Sequence, residues 1–97
     1  MAVADISVVP WYPVAKEEEG YAMVDKAIKV IQASGLKYEV GAMSTSVEGS
    51  LPDILALVQK IHQTIFSLGV DRVLTNLRID EKKSGPLTIE SKVNKSR

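Results

Sequence analysis

The sequence predicts an α/β chain of the α+β sandwich type, with two helices on one face of a four-stranded antiparallel sheet. Three observations predict it. The elements read strand, helix, strand, strand, helix, strand, and the two halves repeat a strand-helix-strand layout. Both helical stretches carry a single apolar stripe. The strand stretches alternate apolar and polar residues, as half-buried strands do. At 97 residues, with 45% apolar and 25% charged residues, residues 1–97 are expected to form one domain with its own core.

The first strand is expected from Met1 to Pro10. Ala4, Ile6 and Val8 face one way, and Asp5, Ser7 and Val9 face the other. Pro10 and Pro13 then interrupt regular structure around Trp11 and Tyr12. Trp11 reads either as a lid over the end of the core or as an aromatic wall beside a pocket.

The first helix is expected over Glu17 to Ser34. Glu17, Glu18 and Glu19 suit the positive end of a helix and read as a solvated helix start, while Gly20 weakens the first turn. Tyr21, Val24, Ile28 and Ile31, with Ala27, make its apolar face, and Gly35 is placed to close it in the left-handed conformation.

Leu36 to Gly49 is read as a hairpin. Lys37 to Val40 alternates, Gly41 and Ala42 turn, and Met43 to Glu48 alternates again, with β-branched Thr45 and Val47. Ser44, Ser46 and Glu48 therefore share one face. Such a row of hydroxyls ending in a carboxylate either binds a small polar molecule or forms a wet sheet face.

Ser50 is an N-cap candidate for a second helix, Leu51 to Leu68, with Pro52 in the first turn. Ile54, Leu57, Val58, Ile61, Ile65 and Leu68 form its stripe, and Gly69 closes it. His62 lies beside that stripe and reads as a boundary or surface histidine. A last strand, Val70 to Asp80, puts Val73, Thr75, Leu77 and Ile79 on one face and Leu74, Asn76 and Arg78 on the other. After the turn at Gly85-Pro86, Ile89 and Val93 suit a short helix begun at Thr88, while Leu87, Ile89 and Val93 also suit a strand; of the two the helix is favoured.

Right-handed crossovers put both helices on one side of the sheet. The result is a ferredoxin-like βαββαβ fold with strand order 4-1-3-2. The opposite sheet face then carries Asp5, Ser7, Val9, Ser46, Glu48, Leu74, Asn76 and Arg78. No stretch long enough to cover it is evident, and Ser7, Ser46, Glu48 and Asn76 are expected to converge there. Polar groups on such a face call for a ligand or a second subunit if they are buried.

Composition narrows function. Twelve basic residues balance twelve acidic ones, and no basic helix face forms, which argues against a nucleic-acid partner. The absence of cysteine excludes thiolate chemistry and Cys-based zinc sites, and one histidine without an acidic cluster gives no metal site. No run approaches the roughly 20 apolar residues of a membrane span, and no signal-peptide pattern opens the chain. A cytoplasmic protein without a membrane partner is expected.

The run SGLKYEVGAMSTSVEG (Ser34 to Gly49), with DISVVP (Asp5 to Pro10) and RVLTNLRID (Arg72 to Asp80), resembles the thiamine-binding protein family across the whole chain. The resemblance implies dimers or tetramers that bind thiamine or its hydroxymethylpyrimidine half, with no catalysis and no cofactor beyond that ligand. By position it implies Ser7, Met43, Thr45, Ser46, Glu48 and Asn76 as ligand-binding residues. Two other readings compete with this one. One is an oligomeric interaction module without a small ligand; the other is an enzyme using Glu48 as general base, with Ser46 or Arg78 holding an anion.

The uncovered face, with apolar Val9 and Leu74, and the edge strands predict a closed two-fold homo-oligomer.

Overall fold

The computed structural model describes residues 1–10 and 17–94. Trp11, Tyr12 and Pro13 lie outside the described residues. The chain forms β1 (Ala2–Pro10), α1 (Glu17–Ala33), β2 (Lys37–Val40), β3 (Thr45–Gly49), α2 (Leu51–Ser67), β4 (Val73–Glu81) and α3 (Ile89–Asn94). The sheet order is β2-β3-β1-β4, which is the predicted order read from the other edge, and every pairing is antiparallel. The fold is the ferredoxin-like sandwich.

Local chemistry sets the element ends. The Asp53 amide donates to the Ser50 hydroxyl at 3.2 Å, satisfying a first-turn N–H that α2 itself cannot pair. Gly35 and Gly69 follow α1 and α2 at φ +80° and +92°, a left-handed backbone that a Cβ disfavours.

One sheet face and two helix stripes make the core. Ala2, Ala4 and Ile6 of β1 and Val47 of β3 meet Ala27 and Ile31 of α1, and Ile54, Leu57, Ile61 and Ile65 of α2. Alternation holds along β3, where Thr45 and Val47 are buried while Ser46 and Glu48 are half-buried on the other face.

Four expectations are corrected. β4 begins at Val73 rather than Val70, because its neighbour β1 ends at the Pro10–Val73 pair; Val70 is buried ahead of the strand. β3 begins at Thr45, and Met43 belongs to the turn. Tyr21 and Leu68 lie on their predicted stripes yet are 67% and 40% exposed. Leu68 is already the C-cap of α2, where the backbone leaves the helix, and Tyr21 faces a cavity rather than a packed side chain.

The fourth correction concerns the open sheet face, which is partly covered. α3 crosses it, and Ile89 is buried there. Thr88 and Ser91 cap α3 reciprocally: the Ser91 amide donates to the Thr88 hydroxyl at 3.0 Å, and the Thr88 amide donates to the Ser91 hydroxyl at 3.3 Å.

Candidate functional site

The hairpin turns on Gly41. Its amide donates to the Ser44 carbonyl at 2.8 Å, and a Cβ at position 41 would sit only 2.9 Å from that oxygen. This tight closure leaves Met43 89% exposed at the tip. It also leaves a cavity of about 240 Å³ between the hairpin, α1 and the end of β1. Tyr21, Val24 and Ile28 of α1 form one wall, and Val40 and Met43 of the hairpin form the other. Ser7, Ser44 and Thr45 also line it.

Thr45 is the polar group best placed within that cavity. It is the one buried polar residue of the described core, at 6% exposure. Its side chain makes no hydrogen bond with another described residue, and among the described residues every fully buried side-chain nitrogen or oxygen has a partner. Thr45 lines the cavity, and a hydroxyl there can both donate and accept.

The opposite sheet face is built in rows. Asp5 of β1 stands between Ser46 of β3 and Arg78 of β4, and Ser7 stands beside Asn76. Arg78 Nη2 donates to Asp5 Oδ2 at 3.2 Å, and Lys92 of α3 pairs with Asp80. Together with Ser44 and Ser46, these four charged residues border a trough of about 450 Å³.

Glu48 stands elsewhere. It pairs with Val3 in the row nearest α3, and its carboxylate accepts from the Ile89 amide at 3.3 Å. Lys37 Nζ lies 4.0 Å away, and the Glu48 side chain is only 10% exposed.

The six residues singled out from sequence thus divide. Ser7, Met43 and Thr45 meet at the helix-side cavity, Ser46 borders the trough, Asn76 sits beside Ser7, and Glu48 is engaged by α3. The expected convergence of Ser7, Ser46, Glu48 and Asn76 gives way to this division, since Glu48 is two rows from Ser7 and held under α3. Tyr21, Val24, Ile28, Val40 and Lys92 were not singled out for a site. The signal for the first three was the α1 stripe itself, and for Val40 its place on the helix-facing side of β2.

His62 is a boundary residue. Its Nε2 is 2.6 Å from the Thr75 hydroxyl, joining α2 to β4 at the sheet edge opposite the hairpin. Among the described residues no group of three His, Asp or Glu could hold a metal ion. No described helix is long and apolar enough to cross a membrane.

Architecture and cleft define a small ferredoxin-like protein with a concave site at the end of its hairpin. The chain belongs to the thiamine-binding protein family, whose model matches residues 4–97. It is 39% identical over 95 residues to the UPF0045 protein YqgV of Bacillus subtilis, covering 96% of this chain and 91% of that one. Among solved structures it is similar to a Bacillus cereus domain of unknown function, DUF77, with TM-score 0.88 and 40% identity over 99% of this chain and 89% of that one. It is also similar to a Thermotoga maritima protein described as a candidate for thiamine biosynthesis or salvage. That match has TM-score 0.85 and 35% identity, over 99% of this chain and 98% of the other.

Proposed function

We propose that the chain binds thiamine or its hydroxymethylpyrimidine half without catalysis, in the cavity between α1 and the hairpin. The observation that carries this reading is the cavity itself: apolar walls from Tyr21, Val24, Ile28 and Val40, with the hydroxyl-bearing residues Ser7, Ser44 and Thr45 also lining it. A flat heterocycle gains from apolar walls, and its ring nitrogens and amine need a few placed partners. The family description and that of the Thermotoga maritima relative support the ligand class. The volume, about 240 Å³, is below the roughly 300–1,000 Å³ of sites for drug-sized ligands and suits a single ring.

A catalytic reading is weaker because its base, Glu48, spends a carboxylate oxygen on the Ile89 amide. A general base must instead reach the proton it abstracts. We propose further that the protein is cytoplasmic and homo-oligomeric. Val9 and Leu74, neighbours across β1 and β4, are 46% and 45% exposed on the open face, where a second copy would cover them. Titration calorimetry with thiamine and with hydroxymethylpyrimidine tests the function. Saturable heat with at least one is expected, and none with either at millimolar ligand would overturn it.

A further inference from the structure

The helix α2 carries a second row of residues beside its buried stripe. Leu51, Leu55, Val58, His62 and Phe66 recur at spacings of four and three, about a quarter turn round from Ile54, Leu57, Ile61 and Ile65. Leu55 and Phe66 in this row are 48% and 46% exposed, and the Phe66 ring stands edge-on to His62 with centroids 6.1 Å apart. The row faces β4, because His62 Nε2 reaches the Thr75 hydroxyl. β4 is the edge strand on that side of the sheet. Its helix-facing Val73, Thr75 and Leu77 are half-buried, and Ile79 is 39% exposed. An apolar helix flank and a strand edge therefore lie side by side.

We propose that β4 pairs edge to edge with β4 of a second copy, about a two-fold axis at Asn76, making one continuous sheet with four strands from each copy. An edge strand offers backbone groups to any strand of matching register, and β4 matches itself. With the axis at Asn76, Val73 faces Ile79 and Thr75 faces Leu77 on the helix side. On the other side Arg72, one residue before the strand, faces Asp80, and the stem of Arg78 covers Leu74. No like charges oppose each other within residues 72–80. Moving the axis to Thr75 sets Arg72 against Arg78, and moving it to Leu77 sets Leu74 against Asp80 and Val73 against Glu81. The two α2 flanks then meet over the seam and cover Leu55 and Phe66 of both copies. This contact is independent of the ligand reading and uses a different surface from Val9 and Leu74 on the open face.

The chain has no cysteine, so introduced cysteines report the seam when the full chain is oxidised at micromolar concentration and run on non-reducing gels. Directly opposed Cα atoms of an antiparallel pair lie roughly 4.5–5.5 Å apart, within the span of a disulfide. Asn76→Cys should give a linked dimer as the main species. Val73→Cys/Ile79→Cys on the helix side should do the same, since cysteine packs as a small hydrophobe at such positions. Leu77→Cys should link little. Adding Leu55→Lys/Phe66→Lys to Asn76→Cys should cut linking at least fivefold, with the circular dichroism spectrum unchanged because both positions are exposed. No link in either of the first two variants would overturn the pairing, as would a link through Asn76→Cys alone, which open-face packing would produce. A link through Leu77→Cys as strong as that through Asn76→Cys would overturn the register.

Discussion

The Glu48 carboxylate accepts a hydrogen bond from the Ile89 amide at 3.3 Å, tying the hairpin strand β3 to the C-terminal helix. That bond serves an amide at the start of α3, where helix N–H groups have no partner within the helix. It fixes α3 on the sheet, and α3 in turn carries Lys92 to Asp80 beside the trough. Glu48→Ala should therefore lower stability by about 1–2 kcal/mol and speed amide exchange across residues 89–94. Glu48→Gln, which keeps an acceptor oxygen, should retain most of the protection. Unchanged exchange in Glu48→Ala would mean that burial of Ile89 alone docks the helix.

The core makes a sharper demand. Ile61 is fully buried in the middle of the α2 stripe, while Leu55 on the same helix is 48% exposed. Ile61→Ala should cost roughly 2–5 kcal/mol, the lost transfer energy plus a cavity. Leu55→Ala should cost well under half as much. Chemical denaturation midpoints for the pair check this, and equal losses would contradict the assignment of the core face.

Thr45 offers a test that separates ligand binding from folding. Valine matches its shape and removes only the hydroxyl of this cavity-lining residue. Thr45→Val should weaken hydroxymethylpyrimidine binding about five- to tenfold, the worth of one hydrogen bond near 1 kcal/mol. Its melting temperature should stay close to the parent's. Calorimetry paired with thermal melts reads both, and unaltered affinity would remove Thr45 from the site.

Assembly is checked by light scattering after size exclusion at micromolar protein. The expected particle has at least twice the 10.6 kDa chain mass. Leu74→Lys, placed beside Val9 on the open face, should shift it toward monomer. A parent protein that elutes as a clean monomer would mean that this apolar pair is simply solvated.

What the sequence made legible was direction. Period-two alternation assigned Thr45 and Val47 to the core face and Ser46 and Glu48 to the other, and Ser50, Gly35 and Gly69 marked real helix ends. What lies opposite a residue was not legible. Tyr21 and Ile31 share one stripe by spacing and both line the cavity, yet Tyr21 is 67% exposed and Ile31 only 2%. Nor does any local signal join Glu48 to Ile89 across 41 positions, so α3 docking and the placement of Lys92 emerge only from the fold. Half of the candidate set shares one cavity because the fold brings the end of β1, with Ser7, beside Met43 and Thr45 of the hairpin, a contact no local pattern shows.

Whether a flat heterocycle occupies the space between α1 and the hairpin can be read from methyl NMR of the full chain. Spectra are recorded during titration with hydroxymethylpyrimidine. Saturable shifts are expected at Val24, Ile28, Val40 and Met43, which line the cavity, with Ile54 and Ile61 of the buried core unmoved. Shifts confined to Leu74, Val9 and other residues of the open face, or no shifts at all, would contradict it.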